Sequence, residues 1–332
     1  MNKWAFVLIT LLSPLWASNL FAQEDSPEFF RIAVGPTSEA DFSIGSALAN
    51  AFTNPNRIEN CETGEECGAP GVIGLAVASE GSLENLERLF NGEADAAFAS
   101  KFMVLEQVLK RTIQGGTNSS VRLIASLYPE AVHLVAAADR NIWKMEDLVG
   151  KRIGVGAPRS GDQFYALRVL EAYGLTEDNV TLLEVDGTEA AHLLLDEELD
   201  AFFHLAAPPS KLVQIISSKK QIKLMDLDKD VLADLLQSRG FEPVNLQGSL
   251  YQNVAAVDSI AVPKLFVTHE HVSKDLINKI TKALWSQRSD EALTNIHESA
   301  KAISINGQKQ EGLIPWHPGA TFFYSLNQKK TK

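Results

Sequence analysis

Polar and charged side chains follow two apolar segments of the sequence, and each time a glycine-containing loop separates the segment from a helical pattern. The segments are residues 30–34 and 152–155. A helix N-terminus presents unpaired backbone N–H groups and the positive end of the helix dipole, so it suits an anion. Two such ends predict a cleft that holds a small polar ligand from both sides. The candidate ligand-binding residues in these loops and helix starts are Thr37, Asp41, Arg159, Ser160, Gly161 and Asp162.

One histidine is a further candidate because of where it stands. His204 directly follows the apolar segment 201–203, which reads as a buried strand. Strand ends in α/β proteins point into ligand crevices, so the imidazole is expected at the same cleft.

Catalytic and metal-binding motifs do not emerge from the sequence. Residues 156–161 have the glycine spacing of a phosphate-binding loop, but Asp162 and Gln163 replace its Lys and Ser/Thr. Neither G-x-S-x-G nor H-E-x-x-H occurs. His269 and His271 flank Glu270 without a third ligand at a motif distance. We therefore expect no enzyme activity, no metal and no cofactor.

The N-terminal residues read as an export signal. A mostly apolar segment, 4–15, follows Lys3, and small residues lead to Ala22 before a polar stretch. This pattern predicts a secretory signal peptide over 1–22 and an exported mature protein. The alternative, an uncleaved anchor, is disfavoured because a span needs about 20 apolar residues. A net charge of −12 argues against nucleic acid or anionic lipid as a partner.

The only two cysteines are Cys61 and Cys67. In an oxidising compartment they are expected to form a disulfide, and the short loop between them suggests that the fold survives its loss. The competing interpretation is a metal pair, but no nearby histidine or second cysteine pair completes a tetrahedral site.

Apolar segments alternate with helical patterns over most of the chain, which predicts an α/β fold with mostly parallel strands. Ser82 reads as the N-cap of a helix, and Ser160 with Gln163 forms an S-x-x-Q capping box for another. Two strand-like segments, 121–127 and 132–137, lie on either side of Tyr128 and Pro129. A long apolar segment, 259–267, precedes an amphipathic helix over 274–285.

Several short motifs, in order along the chain, resemble the TAXI family of periplasmic solute receptors for TRAP transporters. Any one of them is weak, whereas eight in the same order are specific. They are Cys67-Gly-Ala-Pro-Gly71, Gly81-Ser-Leu-Glu-Asn85, Gly92-Glu-Ala-Asp95, Ser126-Leu-Tyr-Pro-Glu130, Asp147-Leu-Val-Gly-Lys-Arg152, Pro158-Arg-Ser-Gly161, Asp200-Ala-Phe-Phe203 and His317-Pro-Gly-Ala320.

The resemblance implies a two-lobed periplasmic-binding-protein fold, type II-like, with ligand held in a cleft between α/β lobes. The lobes are expected over 23–130 with 260–332 and over 131–259. It also implies a monomeric receptor that delivers a small organic acid or amino-acid-like solute to a TRAP-type membrane permease. The alternatives are a periplasmic sensor that docks on a signalling partner and, less favoured, an enzyme on the same scaffold.

The resemblance adds site candidates and also shows departures. Asp41 and Phe42 replace the tyrosine pair of the family's opening loop, Ser100 and Lys101 open the segment that replaces its Q-S-D, and Arg159 replaces a loop glycine. Either the pocket binds a different, more charged solute, or the altered residues pair with one another. The added candidates are Phe42, Ser82, Ser100 and Lys101.

These changes lead to a specific expectation for the ligand, which we take to be anionic or zwitterionic. Its carboxylate would lie near Ser160 and Arg159, with Lys101 as a second cation across the cleft. In the alternative arrangement Arg159 faces solvent and Lys101 pairs with Asp41.

Overall fold

A computed structural model describes residues 26–55, 68–113, 120–237, 240–308 and 314–328. The expected signal peptide over 1–22 and both cysteines, Cys61 and Cys67, lie outside the described residues. Within the described ranges, no helix has the length and apolar character that crossing a membrane requires.

The first part of the chain, from β1 to α3, alternates strands and helices around three parallel strands. Strand β1 lies between β4 and β5, and all three run in the same direction. The elements in this part are β1 (Glu28–Ala33), α1 (Ala40–Phe52), β2 (Thr53–Asn54), β3 (Ala69–Pro70), β4 (Val72–Val77), α2 (Ser82–Phe90), β5 (Ala96–Ser100) and α3 (Lys101–Ile113).

A long strand, β6 (Val121–Ala137), leads into a second part that is also built on parallel strands, with β7 between β8 and β9. The elements here are β7 (Arg152–Gly154), α4 (Gly161–Ala172), β8 (Thr181–Leu183), α5 (Gly187–Leu195), β9 (Ala201–Ala206), α6 (Lys211–Lys219), β10 (Ile222–Leu224), α7 (Ala233–Gln237) and β11 (Glu242–Leu246). The chain then returns through β12 (Val257–His269) to α8 (Lys274–Leu284), α9 (Gln287–Leu293) and α10 (Pro318–Gln328).

Twelve strands of the described residues form one continuous sheet, which confirms the predicted α/β class. Strands β6 and β12 run antiparallel at its centre and join the two parts. One end of β6 pairs with β12 and the other end pairs with β9, while β12 pairs with β5 and β11.

The segments 121–127 and 132–137, predicted as two strands, are therefore one strand of 17 residues. Pro129 stands opposite Pro263 of β12, close to the point where the register of the two strands shifts. Because proline cannot donate a ladder hydrogen bond, it is found at irregular points of a sheet, which is why the sequence suggested a break here.

The two parts repeat one ion pair in nearly the same geometry. Arg31, on β1, donates from its backbone N–H and its guanidinium to Asp95, at 2.8 to 3.0 Å, and Asp95 N donates back to Arg31 O. Arg152, on β7, makes the same contacts with Asp200 at 2.9 to 3.1 Å. Each aspartate thus fixes the entry of one parallel strand against its neighbour.

Separate apolar clusters support the two parts. One cluster centres on Phe30, Phe98 and Phe266 and extends to α1 and α8. Another includes Tyr165 and Phe203 and covers the faces of β6 and β9 in the second part. Phe102, in the first turn of α3, packs against the second cluster and so joins the two parts.

Candidate ligand-binding cleft

A cavity of about 410 Å³ lies beyond the carboxyl ends of β1, β4, β7, β8 and β9. It is lined by the loop before α1, the start of α2, the loop before α4, the start of α5 and the end of β9. Long strands β6 and β12 contribute one side chain each, Glu130 and Lys264. Both parts of the chain thus line one cavity, as expected for a ligand site in this fold class.

The loop before α4 depends on a glycine. Gly156 has a φ of +98°, and a Cβ at this position would lie 2.5 Å from both Asp162 Cβ and Gln163 N. Any other residue would therefore strain the backbone and collide with the first turn of α4. Gly35 in the loop before α1 is also closely approached, because its Cβ would lie 3.0 Å from Asp41 Cβ.

The predicted capping box at α4 is half right. Ser160 is the N-cap, and its Oγ accepts from Gln163 N at 3.1 Å. The Gln163 side chain, however, accepts from Arg159 N at 2.7 Å instead of from Ser160 N, which donates to Ala157 O. Arg159 has a φ of +67°, so the chain turns too sharply here for the second bond of the box.

At α2 the predicted N-cap is wrong by one residue, because Gly81, with a φ of +123°, precedes the helix. Ser82 instead uses its Oγ to accept from Ser100 N at 3.0 Å, which joins α2 to the end of β5. Asn85, fully buried, donates to Val34 O and Phe98 O and receives a hydrogen bond from Ser79. These bonds hold the cavity-lining loops of the first part in place.

A buried charge cluster lies at the end of the cavity formed by β6 and β12. Lys264 Nζ is 2.6 Å from Asp41 Oδ2 and 2.8 Å from Glu130 Oε1, and Tyr128 donates to Asp41 Oδ1. All four residues are at most 6% exposed. Burial acts to raise the pKa of Glu130, and the Lys264 ammonium acts to lower it. Sequence reasoning missed Lys264, which stands alone in an apolar segment.

His204 lies between two carboxylates on opposite sides of the cavity. Its Nδ1 is 3.4 Å from Asp162 Oδ2, and its Nε2 is 3.7 Å from Glu39 Oε1. Burial acts to lower the pKa of His204, but Glu39 and Asp162 outweigh it and raise that pKa to about 9. The imidazole is therefore protonated at neutral pH. Its Nε2 also lies 3.2 Å from Ser210 Oγ, nearer than the Glu39 carboxylate.

Arg159 also spans the cleft. Its guanidinium donates to Glu87 on α2, while its side chain stays 71% exposed. An ion pair as exposed as this contributes at most about 1 kcal/mol after solvent screening. Arg159 thus lies at the rim of the cavity with a carboxylate partner already in place.

The cavity brings together seven of the eleven residues predicted from sequence: Asp41, Ser82, Arg159, Ser160, Gly161, Asp162 and His204. The other four do not line it. Thr37 is exposed, Phe42 packs against the first apolar cluster, Ser100 is buried with its Oγ 2.8 Å from Tyr165 Oη, and Lys101 begins α3. Lys101 is thus no second cation in this cavity, and Asp41 meets Lys264 and Tyr128 there.

In the part of the chain that the structure describes, no three His, Cys, Asp or Glu side chains come together as a metal site. His269 and His271 stack on each other with ring centroids 4.4 Å apart, away from the cavity.

Comparison with solved structures gives distant likenesses. The periplasmic aliphatic sulphonate binding protein SsuA from Escherichia coli is 14% identical, with a TM-score of 0.47 and coverage of 84% of this chain and 80% of SsuA. The amino acid ABC transporter substrate-binding protein AbpA from Streptococcus pneumoniae, bound to L-arginine, is 13% identical, with a TM-score of 0.45 and coverage of 82% and 95%.

Comparison with protein families gives a match along almost the whole described chain. Residues 32–325 match the NMT1-like family. The matched range runs from β1 to α10 and includes every element that lines the cavity. The protein therefore belongs to the NMT1-like family.

Proposed function

We propose that this protein is a periplasmic solute receptor that binds a small polar ligand in the cleft and delivers it to a TRAP-type membrane permease. The single observation that carries the proposal is the cavity itself. It has a volume of about 410 Å³, it is lined from both parts of the chain, and it contains the repeated glycine loops and helix starts.

The architecture around the cavity supports a receptor that opens and closes. Two parts, with boundaries proposed at 130/131 and 259/260, are linked through β6 and β12. Polar contacts cross the cleft between Arg159 and Glu87 and between His204 and Glu39. Beside them, Phe102 of the first part packs against aromatic rings of the second part. The exposed Arg159–Glu87 pair can be broken and remade at little cost, which suits hinge closure on a ligand.

The resemblance to TAXI receptors is the basis for proposing a TRAP-type permease as the partner and the periplasm as the location. Residues of its motifs occupy structural positions at the cleft: Asn85 and Ser82 hold the first loops, and Glu130 pairs with Lys264. Of the two expected ligand classes, amino-acid-like solutes suit a cavity that contains both helix N-termini and carboxylates. Ligand passage to the permease would follow reopening of the cleft.

Hinge closure gives the test of this proposal. A compound that raises the melting temperature of the protein should also make it more compact, because the two parts close around it. Small-angle scattering with and without that compound should show a smaller radius of gyration in its presence. Identical profiles at saturating concentrations would contradict a closing receptor, and scattering with a compound that does not bind provides the control.

A further inference from the structure

We infer that the ligand of this cleft carries an ammonium group, which sits against Glu39 and Glu130, and that simple dicarboxylates are excluded. The inference rests on the proposed receptor function and specifies its solute class. It replaces the expectation of an anion held by Arg159 and Lys101 with one of a small amine or a basic amino acid.

The cavity lining carries more negative than positive charge. Three cationic side chains line it, Arg159, His204 and Lys264. Carboxyl groups outnumber them, and they are Glu39, Asp41, Glu80, Glu84, Glu87, Glu130, Asp162 and Asp186. In a partly desolvated site, such an excess of one sign favours a ligand of the opposite sign.

The three cationic side chains of the cavity already have carboxylate partners. Lys264 is held by Asp41 and Glu130 at 2.6 and 2.8 Å. Arg159 donates to Glu87, and His204 lies 3.4 Å from Asp162. A ligand carboxylate would have to displace one of these partners and leave it without its counter-charge. Asp41 and Asp162 also place negative charge in the first turns of α1 and α4, where it opposes a ligand carboxylate.

Glu130 has one carboxyl oxygen without a hydrogen-bond partner among the residues that the structure describes. Glu130 is 5% exposed and lines the cavity, and its Oε1 contacts Lys264. Its Oε2 is buried and has no hydrogen-bond partner among the residues that the structure describes. Buried polar atoms are rarely left without a partner, so this oxygen points to a donor that the ligand supplies.

Glu39 is a second carboxyl group that lines the cavity. It occupies the N-cap position of α1, yet its side chain makes no capping hydrogen bond. The nearest cation, His204 Nε2, is 3.7 Å away, which is beyond hydrogen-bonding distance. Burial raises the pKa of Glu39, and the carboxylates of Asp162 and Asp41 raise it further. An ammonium group beside Glu39 would offset the repulsion between Glu39 and the carboxylates of Asp162 and Asp41.

Matched probes test the inference directly. Unbranched compounds of three to six carbons would be titrated calorimetrically in three forms: the diamine, the terminal amino acid and the dicarboxylate. At each length the forms differ only in end groups. We expect binding by at least one ammonium-bearing series and none by the dicarboxylates. Tighter binding of dicarboxylates would overturn the inference while leaving a receptor in place, whereas no binding by any compound would count against the inference and the receptor function together.

A charge-neutral variant locates the ammonium group. Glu39→Gln keeps the side-chain length and removes the charge, so the best amine probe should lose about 10- to 100-fold in affinity. Glu189→Gln, an exposed change outside the cavity with the same effect on net charge, should leave that affinity unchanged. Equal effects of the two variants would show that overall charge, and not Glu39, attracts the amine, and would overturn the placement.

Discussion

Replacing Lys264 by methionine should cost about 3–5 kcal/mol of unfolding free energy, the range found when one partner of a buried ion pair is removed. Lys264 is 2% exposed and is the cation between Asp41 and Glu130. Without it, two buried carboxyl groups lose their counter-charge at the junction of β6, β12 and α1. Urea unfolding of the wild type and Lys264→Met would measure the loss.

Two further variants separate the buried charge from the loss of a lysine in general. Lys279→Met removes a more exposed ammonium that pairs with Asp275 at 2.8 Å, and it should cost less than about 1 kcal/mol. Combining Lys264→Met with Asp41→Asn and Glu130→Gln should recover part of the stability, because the unpaired charges are removed. A loss below 1 kcal/mol for Lys264→Met alone would contradict the buried cluster.

Replacing Asn85 by leucine should cost about 3 kcal/mol or more, although the two side chains are similar in size. The amide donates to Val34 O at 3.0 Å and to Phe98 O at 2.8 Å, and its Oδ1 accepts from Ser79. Each buried group left unpaired costs about 1–3 kcal/mol. Because Val34 follows β1 directly and leads into a loop that lines the cavity, the variant should also weaken ligand binding.

The matched control for this change lies at the other end of the same helix. Asn91 is exposed, and its side chain reaches only Glu93 at 3.3 Å. Asn91→Leu should therefore change stability by no more than about 0.5 kcal/mol. Unfolding curves that coincide for Asn85→Leu and Asn91→Leu would show that the buried amide does not hold these strands.

Much of the scaffold could be predicted from local patterns. Alternation of apolar and helical segments predicted the α/β class, and the repeated strand, glycine loop and helix start predicted where the cleft forms. Glycine spacing carries this information because Gly156 allows a backbone path that other residues resist. Patterns that depend on a single element, such as the Ser160 cap, were also recovered.

Residues whose roles depend on distant partners were missed. Lys264 pairs with Asp41, which is 223 positions away in the sequence, and no local pattern around either residue indicates this pairing. A lone lysine within an apolar strand was the available signal, since such a charge needs a buried partner. Glu39, which lines the cavity, was not among the predicted residues. Arg159 was expected to hold the ligand, and its partner Glu87, 72 positions away, lies beyond the reach of local patterns.

Occupation of the cleft by a small ligand is the central claim, and a cavity-filling variant tests it most directly. Thr188 lines the cavity and is exposed, so Thr188→Trp should fill the cleft without disturbing the apolar clusters. Calorimetric titration of small amines and amino acids should show one compound that binds the wild type at one site per chain and loses at least tenfold in affinity for Thr188→Trp, while the two proteins unfold with similar free energies. Equal affinity of that compound for both proteins, or no binding to the wild type by any compound, would contradict the claim.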